Sequence, residues 1–368
     1  MLSVLMSRAL SRSLRIGVAL VVATILLFAI AQQARVVGTW WLELSRYLPF
    51  PALLGPAAVA LVVSRWLGRW WMAASAVALV AVLTLVMGFE WNRPDTEGVP
   101  LRLMTYNIKA YRAEGIPGGF AALAKEVALQ NPDVLVMQDA QPISRARPPI
   151  STLPHTFLAG QYAVASRYPL RSCALRRTGS PDDEISYVHC VLEVDGSDVD
   201  LVTVHFESPR TGLNAARREG LGGVDEWKQN FEVRLGQARA LARELLELRR
   251  PLIVAGDLNA PETSPVIRTL LGSGLRDAYS SAGRGYGYTH GHALRLGFSF
   301  LRIDHVLLNS EIGVSRCFVG NSEASEHRPV IADLLLRRPG IPLTRGGEAM
   351  SDRNMLAPNQ GVVHRLGT

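Results

Sequence analysis

Cysteine is scarce, with three in 368 residues: Cys173, Cys190 and Cys317. There is no CxxC pair, which excludes a thioredoxin-type redox motif and a Cys-rich zinc framework. There is no P-loop, and Ser208, Ser264 and Ser325 sit in no nucleophile elbow, so neither a P-loop NTPase nor an α/β-hydrolase triad is written here. No internal repeat is visible, which excludes a solenoid. Charge is missing from three stretches. Residues 16–31 are apolar apart from Thr24, and residues 47–63 and 70–89 carry no charged side chain. Runs of this length approach the roughly 20 residues a helix needs to cross a bilayer. Trp40, Trp41, Trp66, Trp70, Trp71 and Trp91 border these runs as an interfacial aromatic belt would, and only Trp227 lies elsewhere.

These runs predict three transmembrane helices, over 16–33, 47–64 and 70–89. Arg8, Arg12 and Arg15 favour a cytoplasmic N-terminus (1–15), and Arg65 with Arg69 favours a cytoplasmic turn between the second and third spans. Arg35 and Arg46 oppose that bias modestly. Everything after residue 91 is then expected outside the cytoplasm, on a multi-pass protein of the inner or plasma membrane. A signal peptide cleaved near Ala29-Ile30-Ala31 would leave it on the same side. A net charge of +7 suits an anionic partner, phospholipid headgroup or nucleic acid, although the arginines flanking the spans contribute to it. No protein partner is expected beyond the lipid bilayer itself. Cys173 and Cys190 fall on neighbouring predicted strands. They either pair in an oxidising compartment or remain buried thiols, and Cys317 is left over.

Residues 92–100 read as a short polar linker and residues 101–338 as a mixed α/β domain. Strands are predicted over 101–106, 134–137, 162–166, 172–176, 187–194, 200–205, 252–255, 303–308 and 330–336, and helices over 118–130, 226–248 and 263–271. From 339 to 368 the chain lacks periodicity and is expected to be a disordered tail.

Chemistry-bearing side chains recur at the ends of these strands. They are Asn107 in MTYNIKAY, Gln138 and Asp139 in LVMQDA, His205 in TVHFES, Asp257 and Asn259 in LIVAGDLNAP, Asp304 in LRIDHVLLN, and Glu326 with His327 in ASEHRPVIADL. Asp257 and Asn259 are two residues apart, so an extended strand would point both the same way. Carboxylates gathered at one sheet end repel one another unless a cation joins them, and an oxygen-rich set suits Mg²⁺ or Mn²⁺ better than zinc. Histidines among such carboxylates suit phosphoryl chemistry.

The ordered set TYN, QD, VH, GDLN, RIDH and SEHRPV resembles the endonuclease/exonuclease/phosphatase superfamily, which includes DNase I-like nucleases, neutral sphingomyelinases and inositol-polyphosphate 5-phosphatases. The resemblance implies a four-layer α/β sandwich, two packed mixed β-sheets flanked by helices, and Mg²⁺-dependent (or Mn²⁺-dependent) hydrolysis of a phosphoester. Asn107, Asp139 and Glu326 would serve the metal. Asp257 would orient or deprotonate the attacking water, Asn259 and His205 would hold the phosphate, and Asp304 would orient His327 against the transition state. Asp139 stands where the family usually has Glu, and Glu326 where it usually has Asp. The two departures are expected to compensate, with the ion shifted toward Asp139 and Glu326 reaching further to meet it. His290 and His292, in a Gly-rich loop, are candidate substrate contacts. The expected function is a membrane-anchored phosphodiesterase acting on nucleic acid, a lipid headgroup or a small phosphodiester. The alternatives are a phosphomonoesterase or a non-catalytic anion-binding scaffold.

Overall fold

The computed structural model describes residues 2–34, 39–141, 143 and 149–337, with side chains from residue 10 onward. The side chain of Arg8, Arg35, Arg338 and the tail expected over 339–368 lie outside them.

Four helices come first: α1 (Leu2–Gln33), α2 (Trp40–Ser45), α3 (Leu54–Ser64) and α4 (Arg69–Ala81), the last continued by a π turn over Val82–Val86. Among the described residues, two segments are long and apolar enough to cross a membrane, Leu10–Gln33 and Arg69–Val86. The second expected span departs from the reading. Its helical part is the shorter Phe50–Ser64, and Tyr47, taken as its first residue, is buried against the α/β domain. The cause is a tertiary partner for the Tyr47 hydroxyl that hydropathy cannot register.

The strands are β1 (Glu90–Trp91), β2 (Val99–Asn107), β3 (Val134–Gln138), β4 (His155–Ala159), β5 (Tyr162–Ser166), β6 (Leu170–Thr178), β7 (Ile185–Val194), β8 (Ser197–His205), β9 (Leu252–Asp257), β10 (Arg276–Asp277), β11 (Arg284–Gly285), β12 (Asp304–Leu308), β13 (Ile312–Val319) and β14 (Val330–Leu336). They form two six-stranded mixed sheets, ordered β13-β14-β2-β3-β5-β4 and β10-β12-β9-β8-β7-β6, plus the small pair β1-β11. Within the sheets, β2 with β3 and β8 with β9 run parallel, and the other neighbours are antiparallel.

The central strands are apolar on both faces, as buried strands must be. One face of each sheet meets the other sheet through Leu101, Val136, Val188, Leu201, Ile253 and Val306. The outer face of the second sheet is covered by α7 (Val224–Leu246) and α8 (Pro265–Gly272), and that of the first by α5 (Gly119–Gln130). Helix α7 buries Trp227, Phe231, Leu235, Ala238, Leu241 and Leu245, a stripe at helical spacing. Helix α8 begins on Ser264, whose hydroxyl accepts from the Val266 amide, followed by Pro265 in its first turn.

Residues 92–98 are pinned along the domain. The Asp95 carboxylate accepts from the Val314 amide at 2.9 Å and pairs with Arg276 at 3.0 Å, and Asn92 donates to the Ser280 carbonyl at 2.6 Å. Cys173 and Cys190 form a disulfide between β6 and β7, and Cys317 is a buried free thiol.

A buried network ties β10 to β12. Asp277 accepts from Arg302 at 2.8 Å and faces His305 Nδ1 at 2.8 Å, while His305 Nε2 meets the Ala260 carbonyl at 3.0 Å. Burial pushes the Asp277 carboxyl up, but Arg302, His305 and the Ser280 amide together hold it well below the ordinary range. A depressed carboxylate stabilises the fold above its unfolded value of about 3.9, and that contribution is lost as pH falls toward the folded value. Asp277→Asn is therefore expected to flatten the acid limb of a stability–pH profile. It should also cost about 3–5 kcal/mol at neutral pH, because Arg302 stays buried with a partner removed. Thermal melts from pH 3 to 8 read both effects.

Candidate active site

The parallel pairs end together and bring the polar residues to one rim. Asn107 lies opposite Gln138, and His205 and Asp304 each lie opposite Asp257. Gly256 permits this close approach, since a Cβ there would sit 1.9 Å from the Val204 carbonyl oxygen.

Asp257 is the centre. Its Oδ2 accepts from Asn107 Nδ2 at 2.9 Å and lies 3.5 Å from His205 Nε2 and 3.7 Å from His327 Nε2. Its Oδ1 accepts from the Asn259 amide at 3.0 Å. Burial raises the carboxyl, and His327, His205, Lys109 and Asn107 more than offset it, so the net shift is downward. His327 Nδ1 donates to Asp304 at 2.9 Å. Burial works against the imidazolium, yet Asp304 and Asp257 carry the net shift upward. His205 Nδ1 donates to Gln161 Oε1 at 2.6 Å, leaving Nε2 aimed at Asp257.

Asn259 is not on the strand, which ends at Asp257. Its backbone turns left-handed at φ 48°, and its Nδ2 donates to the Phe206 carbonyl at 2.9 Å. The shared strand face expected for Asp257 and Asn259 is replaced by an Asx-type turn. His290 stacks near His327 with ring centroids 4.7 Å apart, and burial beside His327 pushes it down to about 3, so it stays neutral. His292 is engaged at both nitrogens, with Ser299 Oγ at 3.1 Å and the Ser325 carbonyl at 2.9 Å, an arrangement that braces the SEH turn.

Two cations at this rim, Lys109 and Arg112, gave no signal in the sequence. Lys109 Nζ reaches Asp139 Oδ2 at 2.7 Å, and Glu326 is paired with Arg112 and, at 3.5 Å, with Arg210. In this arrangement the expected metal set is engaged by the protein's own groups. Asp139 and Glu326 are held in ion pairs, and Asn107 donates its Nδ2 to Asp257 while its Oδ1 accepts from the Lys109 amide at 3.2 Å. Among the described residues, the group of acidic and histidine ligand atoms close enough to share an ion, within 4.8 Å, is Asp257, Asp304 and His327. Lys109 and Asp139 both hold left-handed backbones, at φ 43° and 50°, a conformation costly for such residues and concentrated at this rim. Removing the ammonium in Lys109→Gln is expected to tighten Mn²⁺ binding about tenfold or more, read by the paramagnetic resonance of free Mn²⁺.

The rim also rests on the N-terminal segment. Tyr47 Oη donates to the Asn259 carbonyl at 2.9 Å, and Arg234 Nη1 donates to the same oxygen at 3.2 Å and to Tyr47. Glu43 pairs with Arg46 at 3.0 Å and accepts from Ser264 Oγ at 2.8 Å. All of these groups are buried.

Comparison with known proteins meets this geometry. The chain is similar in structure to an endonuclease/exonuclease/phosphatase family protein of Bacteroides thetaiotaomicron, at 16% identity and TM-score 0.52, over 66% of this chain and 100% of that one. It is similar also to a mannosyl-6-phosphatase of the same organism, Bt3783, at 16% identity and TM-score 0.50, over 64% of this chain and 100% of the other. No curated protein matches the chain. The model of the endonuclease/exonuclease/phosphatase family matches residues 104–327, from the strand that delivers Asn107 to His327 itself. A divalent metal is general in that family, and its hydrolases act on phosphoesters. With two sheets converging on a buried Asp–His–Asn rim and a family match running through every strand of it, this chain belongs to the endonuclease/exonuclease/phosphatase family.

Proposed function

We propose that this chain is a membrane-anchored hydrolase that cleaves a phosphodiester by attack of water. The observation that carries the reading is the Asp257 carboxylate, held by Asn107 at 2.9 Å with His205 and His327 both aimed at it. A phosphate entering this rim meets His327, His205, Lys109, Arg112 and Arg210, a field suited to a phosphoryl anion. Water held by Asp257 adds to phosphorus. Its proton passes to the carboxylate as the new P–O bond forms, and the ester P–O bond breaks. The departing oxygen takes a proton from solvent. Because Asp257 is held below the ordinary carboxylate range, it is a weak base, and orienting the water is its larger contribution. His327, held in place by Asp304, donates from Nε2 to the charge growing on a non-bridging oxygen.

The anchor reading has its own support. Gln33, at the end of α1, donates to the Leu85 carbonyl at 2.8 Å, and Tyr288 donates to the Met87 carbonyl at 2.8 Å, so the ends of both long apolar segments lie beside the α/β domain. Two segments that finish at the same face support a topology in which the chain between them, including Phe50–Ser64, returns through the bilayer. With a cytoplasmic N-terminus, three crossings put the domain outside, where a disulfide persists. Reporter fusions at residues 66 and 337 are expected to read cytoplasmic and non-cytoplasmic respectively. The opposite pattern removes this topology.

The hydrolase reading is tested with the full chain in detergent against bis-p-nitrophenyl phosphate, p-nitrophenyl phosphate, plasmid DNA and phospholipid, each with Mg²⁺, with Mn²⁺ and with EDTA. The metal arms decide the Mg²⁺ or Mn²⁺ dependence expected from the family. Turnover of the monoester alone would establish a phosphomonoesterase, and binding without any turnover a scaffold.

A further inference from the structure

We propose that residues 291–299 form a loop that dips into the bilayer surface beside the active site, and that the site takes the phosphodiester of a membrane phospholipid. The substrate class rests on the hydrolase reading above; the insertion does not.

The loop exposes its large apolar side chains, Leu294 at 45%, Leu296 at 50% and Phe298 at 43%, around an exposed Arg295. Three such side chains in five residues make a patch that an isolated soluble domain has reason to avoid. The loop is fixed at both ends to groups that belong to the membrane segment. Just before it, Tyr288 donates to the Met87 carbonyl, at the exit of the second long apolar segment. Just after it, Phe300 packs in one cluster with Tyr47 and Trp227, against Trp40 and Leu44 of the stretch that follows α1. The loop therefore stands at the level where two candidate spans leave the bilayer. Trp91 and Trp41 are exposed at 72% and 53%, and Arg284 stacks over Trp91 with its guanidinium 5.3 Å from the ring centre. Tryptophan and arginine together are the composition of a headgroup layer.

The same loop is joined to the chemistry. His290 enters it and lies against the His327 ring, and His292 holds the Ser325 carbonyl beside Glu326 and His327. A cavity of about 690 Å³ lies next to the loop rather than over Asp257, and its lining includes Phe50, Leu85, Met87 and Tyr288 together with Arg46, Arg268, Glu90 and Glu262. Its apolar residues suit an acyl chain. A nucleic acid would have no use for these apolar residues, and nothing in the loop pairs with a protein of particular charge.

The test uses the full chain in nanodiscs of phosphatidylethanolamine with phosphatidylglycerol. Leu296→Cys is labelled with a nitroxide, which the buried Cys317 and the disulfide leave selective. Insertion predicts greater collision with oxygen than with an aqueous nickel complex. An aqueous label overturns the proposal, and so does dipolar broadening from a second labelled copy. Alongside, the triple change Leu294→Asp, Leu296→Asp and Phe298→Asp is expected to slow phosphatidylglycerol hydrolysis about tenfold or more, from lost interfacial burial. Hydrolysis of soluble bis-p-nitrophenyl phosphate should stay within about twofold, since these side chains touch no reacting group. Equal loss on both substrates, or no loss on lipid, refutes the lipid assignment. If the wild type turns over neither substrate, the hydrolase reading fails, and the nitroxide still decides the insertion.

Discussion

Asp257→Ala should lower kcat on a phosphodiester by about a thousandfold or more while leaving the sheet intact. Asp257 receives hydrogen bonds from Asn107 and the Asn259 amide and stands against both catalytic-rim histidines, so its removal takes away the water's anchor and the anion that keeps His327 charged. Asp257→Asn separates the two roles. It keeps size and some hydrogen bonding, but its NH₂ only donates, so one of the two oxygens that accept from Asn107 and the Asn259 amide is lost. We expect it to match the alanine variant in kcat and exceed it in thermal stability. His327→Ala should cost a similar factor, and the double variant little more than either alone, because the two groups act on one transition state. Independent, multiplying losses would show that Asp257 and His327 do not share a step.

Deleting residues 1–91 should leave a polypeptide that does not fold to the native domain. The apparent linker at 92–100 invites this truncation, but the interior of the domain does not end there. Tyr47, Glu43 and Arg46 are buried at 6%, 0% and 1% exposure, and Arg234, at 0%, lies beside Tyr47 and Glu43. Without residues 40–47, Arg234 loses its carboxylate neighbour and its phenol, and Ser264 loses its acceptor. An uncompensated buried charge costs about 3–5 kcal/mol, a large share of the 5–15 kcal/mol that holds a domain together. A truncation at residue 39 should restore cooperative melting in detergent. Arg234→Met in the full chain should be tolerated far better than the deletion, since it removes the charge together with its need for a partner. A cooperative melt from the shorter polypeptide, equal to that of the full chain, would sink this expectation.

Much of the site could be read because the residues that do the chemistry sit at the ends of strands with plain apolar bodies. Val134–Gln138 and Leu252–Asp257 announce themselves by composition, and the polar residue that stops each run is the one delivered to the rim. The two-sheet sandwich followed from the order of those motifs. Strands β4 and β13 escaped notice because they are edge strands, half exposed, with polar residues interrupting the apolar run. Helix α6 (Arg210–Glu219) escaped for the opposite reason: its sequence is polar nearly all round, and it is held by packing on α7. Lys109 and Arg112 gave no signal, because a cation becomes part of a carboxylate site only when the fold carries it there from another loop. Tyr47 was misassigned by hydropathy, which counts its ring as apolar and cannot see the Asn259 carbonyl waiting for its hydroxyl.

The placement of Tyr47 and Glu43 has a consequence for how the protein is made. The residues that complete the catalytic rim are synthesised early, between the first two apolar helices, while Arg234 and Asn259 emerge near the end of translation. The domain closes only when residues 40–47 lie where the late strands arrive, which in the proposed membrane topology follows insertion of the helices. Under the proposed topology, biogenesis would act as a checkpoint, because a chain whose residues 40–47 end on the wrong side could not bring Tyr47 and Glu43 to Asn259 and Arg234.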